Sequence, residues 1–161
     1  MPKVIVNTSP LQYLFQLELL HLLPELYGKI IVPKAVAQEL EQGRAWGVFL
    51  PVVEELSWVT ISEPKYPTLL PLASGFGKGE LQVLTLAKEI PDSLVVLDDG
   101  RARRYACLLN INVVGTLGIL IKAKQLGKLE AIHPILEKLE MLHFRLHPRT
   151  RQAVLRLAGE I

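Results

Sequence analysis

One cysteine, Cys107, stands among 161 residues. An intrachain disulfide is therefore excluded, and a cysteine-built zinc site is argued against. No stretch of about 18 residues runs apolar without a charge or a proline, so no spanning helix is expected. The N-terminus lacks a basic segment followed by an apolar region of signal-peptide length. These absences lead to the expectation of a cytoplasmic chain without a membrane partner. There are no internal repeats and no low-complexity tract. Aspartate is scarce: the chain holds only Asp92, Asp98 and Asp99, and two of these are adjacent.

What is present is largely apolar. Half the residues are hydrophobic, ample for a packed core at this length, and one domain spanning residues 1–161 is expected. The net charge of +2 conceals a division. Residues 1–99 carry 7 Lys/Arg against 12 Asp/Glu, a balance of −5; residues 100–161 carry 11 against 4, a balance of +7. Such asymmetry suits a polyanionic or acidic partner for the second part, or solvated helix faces.

Apolar strands alternate with helical patterns. "KVIV", "KIIVP", "SWVTI", "SLVVL" and "INVVG" read as strands, the third at an edge. Helices are expected from Pro10 onward, over Leu19–Leu26, in "PKAVAQELEQG" with Gly43 past its end, and in "GELQVLTLAKEI". Further helices are expected in "DGRARRYACLLN", "TLGILIKAKQLG", "LEAIHPILEKLEML" interrupted at Pro134, and "PRTRQAVLRLAGE". "YPTLLPLASGFG" reads as loop, and "HFRLH" as a last extended piece. Strands alternating with helices of this length imply βαβ units. The expected architecture is a three-layer α/β/α domain with a Rossmann-like parallel sheet of four to five strands.

In such sheets, sites form beyond the carboxyl ends of the strands, where the strand order reverses. The first strand ends at Asn7-Thr8-Ser9 and "SLVVL" ends at Asp98-Asp99; Glu80 enters a helix after "GFGKG", and Glu39 lies in the helix after "KIIVP". Two like charges about 4 Å apart repel by about 4 kcal/mol at an effective dielectric near 20. A carboxylate cluster persists through a shared proton, a basic partner or a hard divalent cation, and oxygen donors suit Mg2+ or Mn2+. Such an ion can activate water and steady developing charge on a phosphate. Each carboxylate also has a plainer reading. Aspartate is a favoured N-cap, glutamate suits a first helical turn, and Glu39 reads equally as an exposed helix residue.

Taken together, "VIVNTSPLQYL", "KIIVPKAVAQEL", "GKGELQVLTLA", "VVLDDGRARRYA" and "INVVGTLGILIKAKQLGKL" resemble, in order and spacing, the PIN-domain proteins related to VapC toxins. The resemblance implies a Mg2+- or Mn2+-dependent ribonuclease acting on RNA. It places the usual first acid where this chain has Asn7, the second at Glu39, the third at Glu80 and the fourth within Asp98-Asp99. Thr8 or Ser9 would match a hydroxyl bonding into the acidic network. A homodimer or higher oligomer and an antitoxin partner are implied as well. Asn7 is the departure: its carbonyl can touch a cation, but one negative charge is missing. Two functions follow, a ribonuclease toxin weakened at Asn7 or a catalytically silent PIN-fold module that binds RNA or protein.

Lys78, Arg101, Arg103 and Arg104 are candidates to hold RNA phosphates; pairing with the acids themselves is the alternative. Arg145, Arg149, Arg151 and Arg156 read mainly as solvated helix, with RNA or an acidic partner second. His143 and His147 have helical metal spacing but sit in an extended context. "GFGKGE" lacks the spacing of a phosphate-binding loop. Cys107 is expected in the core, and Trp46 and Trp58 in the core or an interface.

Overall fold

Five short apolar runs become strands: β1 (Lys3–Val6), β2 (Ile30–Pro33), β3 (Val59–Ser62), β4 (Ser93–Val96) and β5 (Asn112–Val114). All pair in parallel in the order β3-β2-β1-β4-β5. Val4, Ile5 and Val6 are almost wholly buried, as a central strand covered on both faces requires. The structure is a computed structural model that describes residues 2–66 and 75–161. Most of the expected "YPTLLPLASGFG" loop lies outside the described residues.

Helices follow the strands: α1 (Thr8–Gln16), α2 (Leu22–Tyr27), α3 (Lys34–Ala45), α4 (Lys78–Glu89), α5 (Gly100–Leu108), α6 (Thr116–Gln125), α7 (His133–Met141) and α8 (Pro148–Leu157). They complete the three-layer α/β/α arrangement. Helix α4 lies against β1, β2 and β4; α6 packs on β5 and meets α1, α2 and α8. None of the helices among the described residues is long and apolar enough to cross a membrane.

The chain runs outward from β1 through β2 to β3, then crosses back through α4 to β4 on the other side of β1. The order therefore reverses between β1 and β4. Their register, Lys3 opposite Ser93 and Val6 opposite Val96, brings Asn7 and Leu97 level at the carboxyl edge. The Asn7 N–H donates to the Val96 carbonyl at 3.0 Å, and the Leu97 N–H to the Val114 carbonyl at 2.9 Å. Hydrogen bonding thus continues one residue past each strand, and this fixes where the following side chains stand.

Several local expectations are corrected. "HFRLH" forms no strand; His143 ends α7 in the left-handed region at φ 67, and the chain turns there. Pro134 does not interrupt a helix. It lies in the first turn of α7, where its missing N–H is tolerated, and residues 128–132 are not helical. Gly43 lies inside α3, not beyond it. A Cβ there would run into the Leu50 side chain, so glycine lets the following loop fold onto the helix. Cys107 is exposed rather than in the core. Ala102 and Ala106, four apart, form the buried face of α5, and the next position points outward. Trp46 is 76% exposed and so is not a core residue, whereas Trp58 packs partly buried on the core.

Candidate acidic site at the carboxyl edge

Asn7 is the N-cap of α1, a position where asparagine normally accepts a hydrogen bond from the second or third helical N–H. Here it makes no such bond. The third helical residue is Pro10, which has no N–H to give. Asn7 is only 6% exposed, and its Oδ1 is buried without a hydrogen-bond partner. Leaving a buried carbonyl unpaired costs about 1–3 kcal/mol, so this oxygen stands where something else should meet it. Asn7 also lines a cleft of about 410 Å³, together with Ser9, Tyr13, Glu80, Asp98 and Asp99.

The two aspartates differ. Asp98 is fully engaged: Thr116 N–H donates to Oδ1 at 2.7 Å, while the Thr116 and Ser9 hydroxyls donate to Oδ2 at 2.7 and 2.9 Å. Gly115 permits this approach, because a Cβ there would stand 3.1 Å from Asp98 Oδ1 and collide with the Arg103 guanidinium. Asp99 caps α5, accepting from the Ala102 N–H at 2.9 Å through Oδ2. The capping reading therefore holds for Asp99 through one of its two oxygens.

Glu39 and Glu80 also divide. Glu39 accepts the Thr8 hydroxyl at 2.5 Å and the Gly79 N–H at 2.9 Å. A Cβ on residue 79 would fall 2.7 Å from both Glu39 oxygens, so only glycine fits between α3 and α4. Glu39 thereby ties the start of α4 to the end of β1; it is not among the described residues lining the cleft. Glu80, the third residue of α4, reaches back to the Gly77 N–H at 3.2 Å. Burial raises its pKa above the usual carboxylate value, and the charges of Asp99 and Glu39 raise it further; the Gly77 hydrogen bond and Arg101 pull the other way. Burial, with the Asp98 charge second, also raises the Tyr13 pKa.

None of Lys78, Arg101, Arg103 and Arg104 is among the described residues lining this cleft. Arg101 sits 4.8 Å over the Phe76 ring. Arg103 lines an adjoining groove, Arg104 lies exposed on α5, and Lys78 is the exposed first residue of α4. Residues that sequence reasoning did not assign to the site complete it. Thr116 comes from the start of α6, Tyr13 from the middle of α1, and His143, Phe144 and Arg145 from the turn between α7 and α8. Thr116 was within reach of the strand-edge logic, since it follows β5, the neighbour of β4. His143, Phe144 and Arg145 lie far along the chain in a segment without periodicity.

Asn7, Glu80, Asp98 and Asp99 offer hard oxygens, the class that suits a small divalent cation. Among the described residues, no three His, Cys, Asp or Glu side chains form an ion-holding group by themselves. The orphaned Asn7 carbonyl, beside an acid whose charge is disfavoured by its neighbours, is what fits such an ion.

A doubly wound parallel sheet with an oxygen-lined acidic cleft at its switch point defines the class of protein. Within that class, the chain matches the PIN-domain family over residues 3–160 and belongs to it. No curated protein matches the chain.

Proposed function

We propose that this PIN-domain chain is a divalent-metal-dependent endoribonuclease, tuned to low activity by Asn7. The observation that carries the reading is the buried, unpartnered Oδ1 of Asn7, a residue that lines the same cleft as Glu80, Asp98 and Asp99. Asn7 Oδ1, Glu80 and the uncapped oxygen of Asp99 would hold Mg2+ or Mn2+. The ion would supply charge neutralisation and a more acidic bound water. Asp98, fixed by three donors, holds its orientation toward the cleft. Glu39, through Thr8 and Gly79, sets the distance between β1 and α4 and so the placement of Glu80.

Replacing the usual acid with asparagine removes one charge beside the ion, worth a few kcal/mol at a dielectric near 20, or roughly a hundredfold in metal affinity. The wild type is therefore a slow nuclease, and the cellular role we infer is the toxin of a toxin–antitoxin pair acting in the cytoplasm. Exposed Trp46 and Phe49 support a homodimer or higher oligomer through an apolar surface. The absence of a three-residue His/Cys/Asp/Glu group among the described residues favours a second reading, a silent RNA- or protein-binding module. Cleavage of single-stranded RNA with Mn2+ separates them. Asn7→Asp is expected to raise the rate at least tenfold and Glu80→Gln to abolish it. Robust wild-type cleavage unchanged in both variants would overturn the metal-site reading, and no cleavage by any of the three would favour the silent module.

A further inference from the structure

The turn between α7 and α8 carries two basic residues, His143 and Arg145, to the acidic cleft. Helix α7 closes with a six-residue reverse turn. The Phe144 N–H donates to the Leu139 carbonyl at 2.9 Å, and the His143 N–H to Glu140 at 3.0 Å. This is the pattern in which the residue past the helix takes left-handed backbone and glycine is favoured. The chain has His143 there, at φ 67, exposed and lining the cleft. Left-handed non-glycine residues also close α1 at Glu18 and α5 at Asn110; what marks His143 is that its turn lines the acidic cleft. Phe144 anchors the turn edge-on against Tyr13, with centroids 4.9 Å apart.

Arg145 follows. It is exposed and, among the described residues, makes no ion pair or hydrogen bond. Arg151, by contrast, pairs with Glu140, Lys124 with Glu160, and Arg44 donates to the Pro51 carbonyl; several exposed cations resemble Arg145, but among the described residues none of those lines the cleft. Arg145 also lines an adjoining groove of about 470 Å³, with Arg103, Gly115, Gly118 and Thr150. Asp98, Gly100 and Phe144 are shared between the two depressions, so Arg145 stands where they join.

We infer that His143 and Arg145 are the substrate-positioning residues of this site, gripping successive phosphates of a single-stranded RNA that runs from the acidic cleft past Phe144 into the adjoining groove. The inference rests on the ribonuclease reading. A polyanion entering a cleft with three carboxylates is repelled unless positive charge and hydrogen-bond donors meet its backbone; in that cleft Arg145 supplies the charge and His143 a ring N–H. Arginine suits the task, since its planar fork matches phosphate oxygens.

The test is fluorescence anisotropy of a short labelled single-stranded RNA on the full chain, with Ca2+ in place of Mn2+, across a series of salt concentrations. Arg145→Ala should weaken binding about tenfold and reduce the salt slope by about 0.7, the value for one lost phosphate contact on a single strand. Arg145→Lys should restore the slope. His143→Gly should bind more weakly although its melting temperature holds or rises, a combination that a purely structural role does not give. Lys29→Ala, at the opposite end of the sheet, should bind as the wild type does. If the wild type binds RNA and Arg145→Ala binds it equally with the same slope, the inference is overturned and the ribonuclease reading survives. A loss in Arg145→Ala with none in His143→Gly overturns the part given to His143. If the wild type binds no RNA under any salt condition, the ribonuclease reading fails and the inference with it.

Discussion

Two glutamates in this chain are pushed in opposite directions. Glu160, near the C-terminus, accepts from Lys124 Nζ at 2.9 Å and from the Ile132 and His133 N–H groups at 2.7 and 3.0 Å. Burial pushes its carboxyl up, but these hydrogen bonds and the Lys124 charge outweigh it and hold the pKa at about 2. Glu80 receives one hydrogen bond at 3.2 Å, is partly buried, and has Asp99 and Glu39 for neighbours; its pKa is raised. The first is a completed clasp, closing the chain end onto α6 and the start of α7. The second is a charge kept in a place that disfavours it. The partners of Glu160 are all supplied by the chain, and those of Glu80 are not.

That contrast can be broken by substitution. Glu160→Ala should cost about 2–3 kcal/mol in urea unfolding, because it strands a buried Ile132 N–H and removes charge-assisted bonds. Gly79→Ala should cost about 1–3 kcal/mol by forcing Glu39 from between the helices, and should lower activity as Glu80 shifts. Glu80→Gln should do the opposite in metal-free protein. Glutamine can still accept from Gly77, and removal of an opposed charge should raise stability at pH 7.

The pH dependence sharpens the same difference. Glu160 titrates lower in the folded state, so its stabilisation is present above the ordinary value of 4.5 and is lost as pH falls from there toward about 2. Glu80 titrates higher in the folded state. Its contribution is intact below the unfolded value and lost as pH rises through the folded one. Wild type and Glu80→Gln should accordingly converge in stability in acid, while wild type and Glu160→Ala should converge only near pH 2.

Much of this was legible beforehand. The strand runs "KVIV" and "SLVVL" could be placed because a doubly covered strand carries no polar face, and strand-end logic then brought Asn7 and Asp98-Asp99 to one edge. It did not separate Asp98 from Asp99, because the difference comes from Thr116 and Ser9 on other elements. Nor did it reveal that the Asn7 carbonyl goes unpaired, although Pro10, which removes one of its two usual donors, is in plain view. That His143 and Arg145 reach this cleft was illegible for a different reason. Their segment has no periodicity, and only the reverse turn ending α7 brings them back over the cleft. Cys107 misled because its apolar neighbours suggested a core that the four-residue spacing of Ala102 and Ala106 had already turned the other way.

The most direct measurement is a calorimetric titration of Mn2+ into metal-free wild type, Asn7→Asp and Glu80→Gln at neutral pH. The expected result is a single saturable event in the wild type, about a hundredfold tighter in Asn7→Asp and lost in Glu80→Gln. Three indistinguishable titrations, or none in any protein, would contradict a cleft whose unsatisfied oxygens are held for a cation.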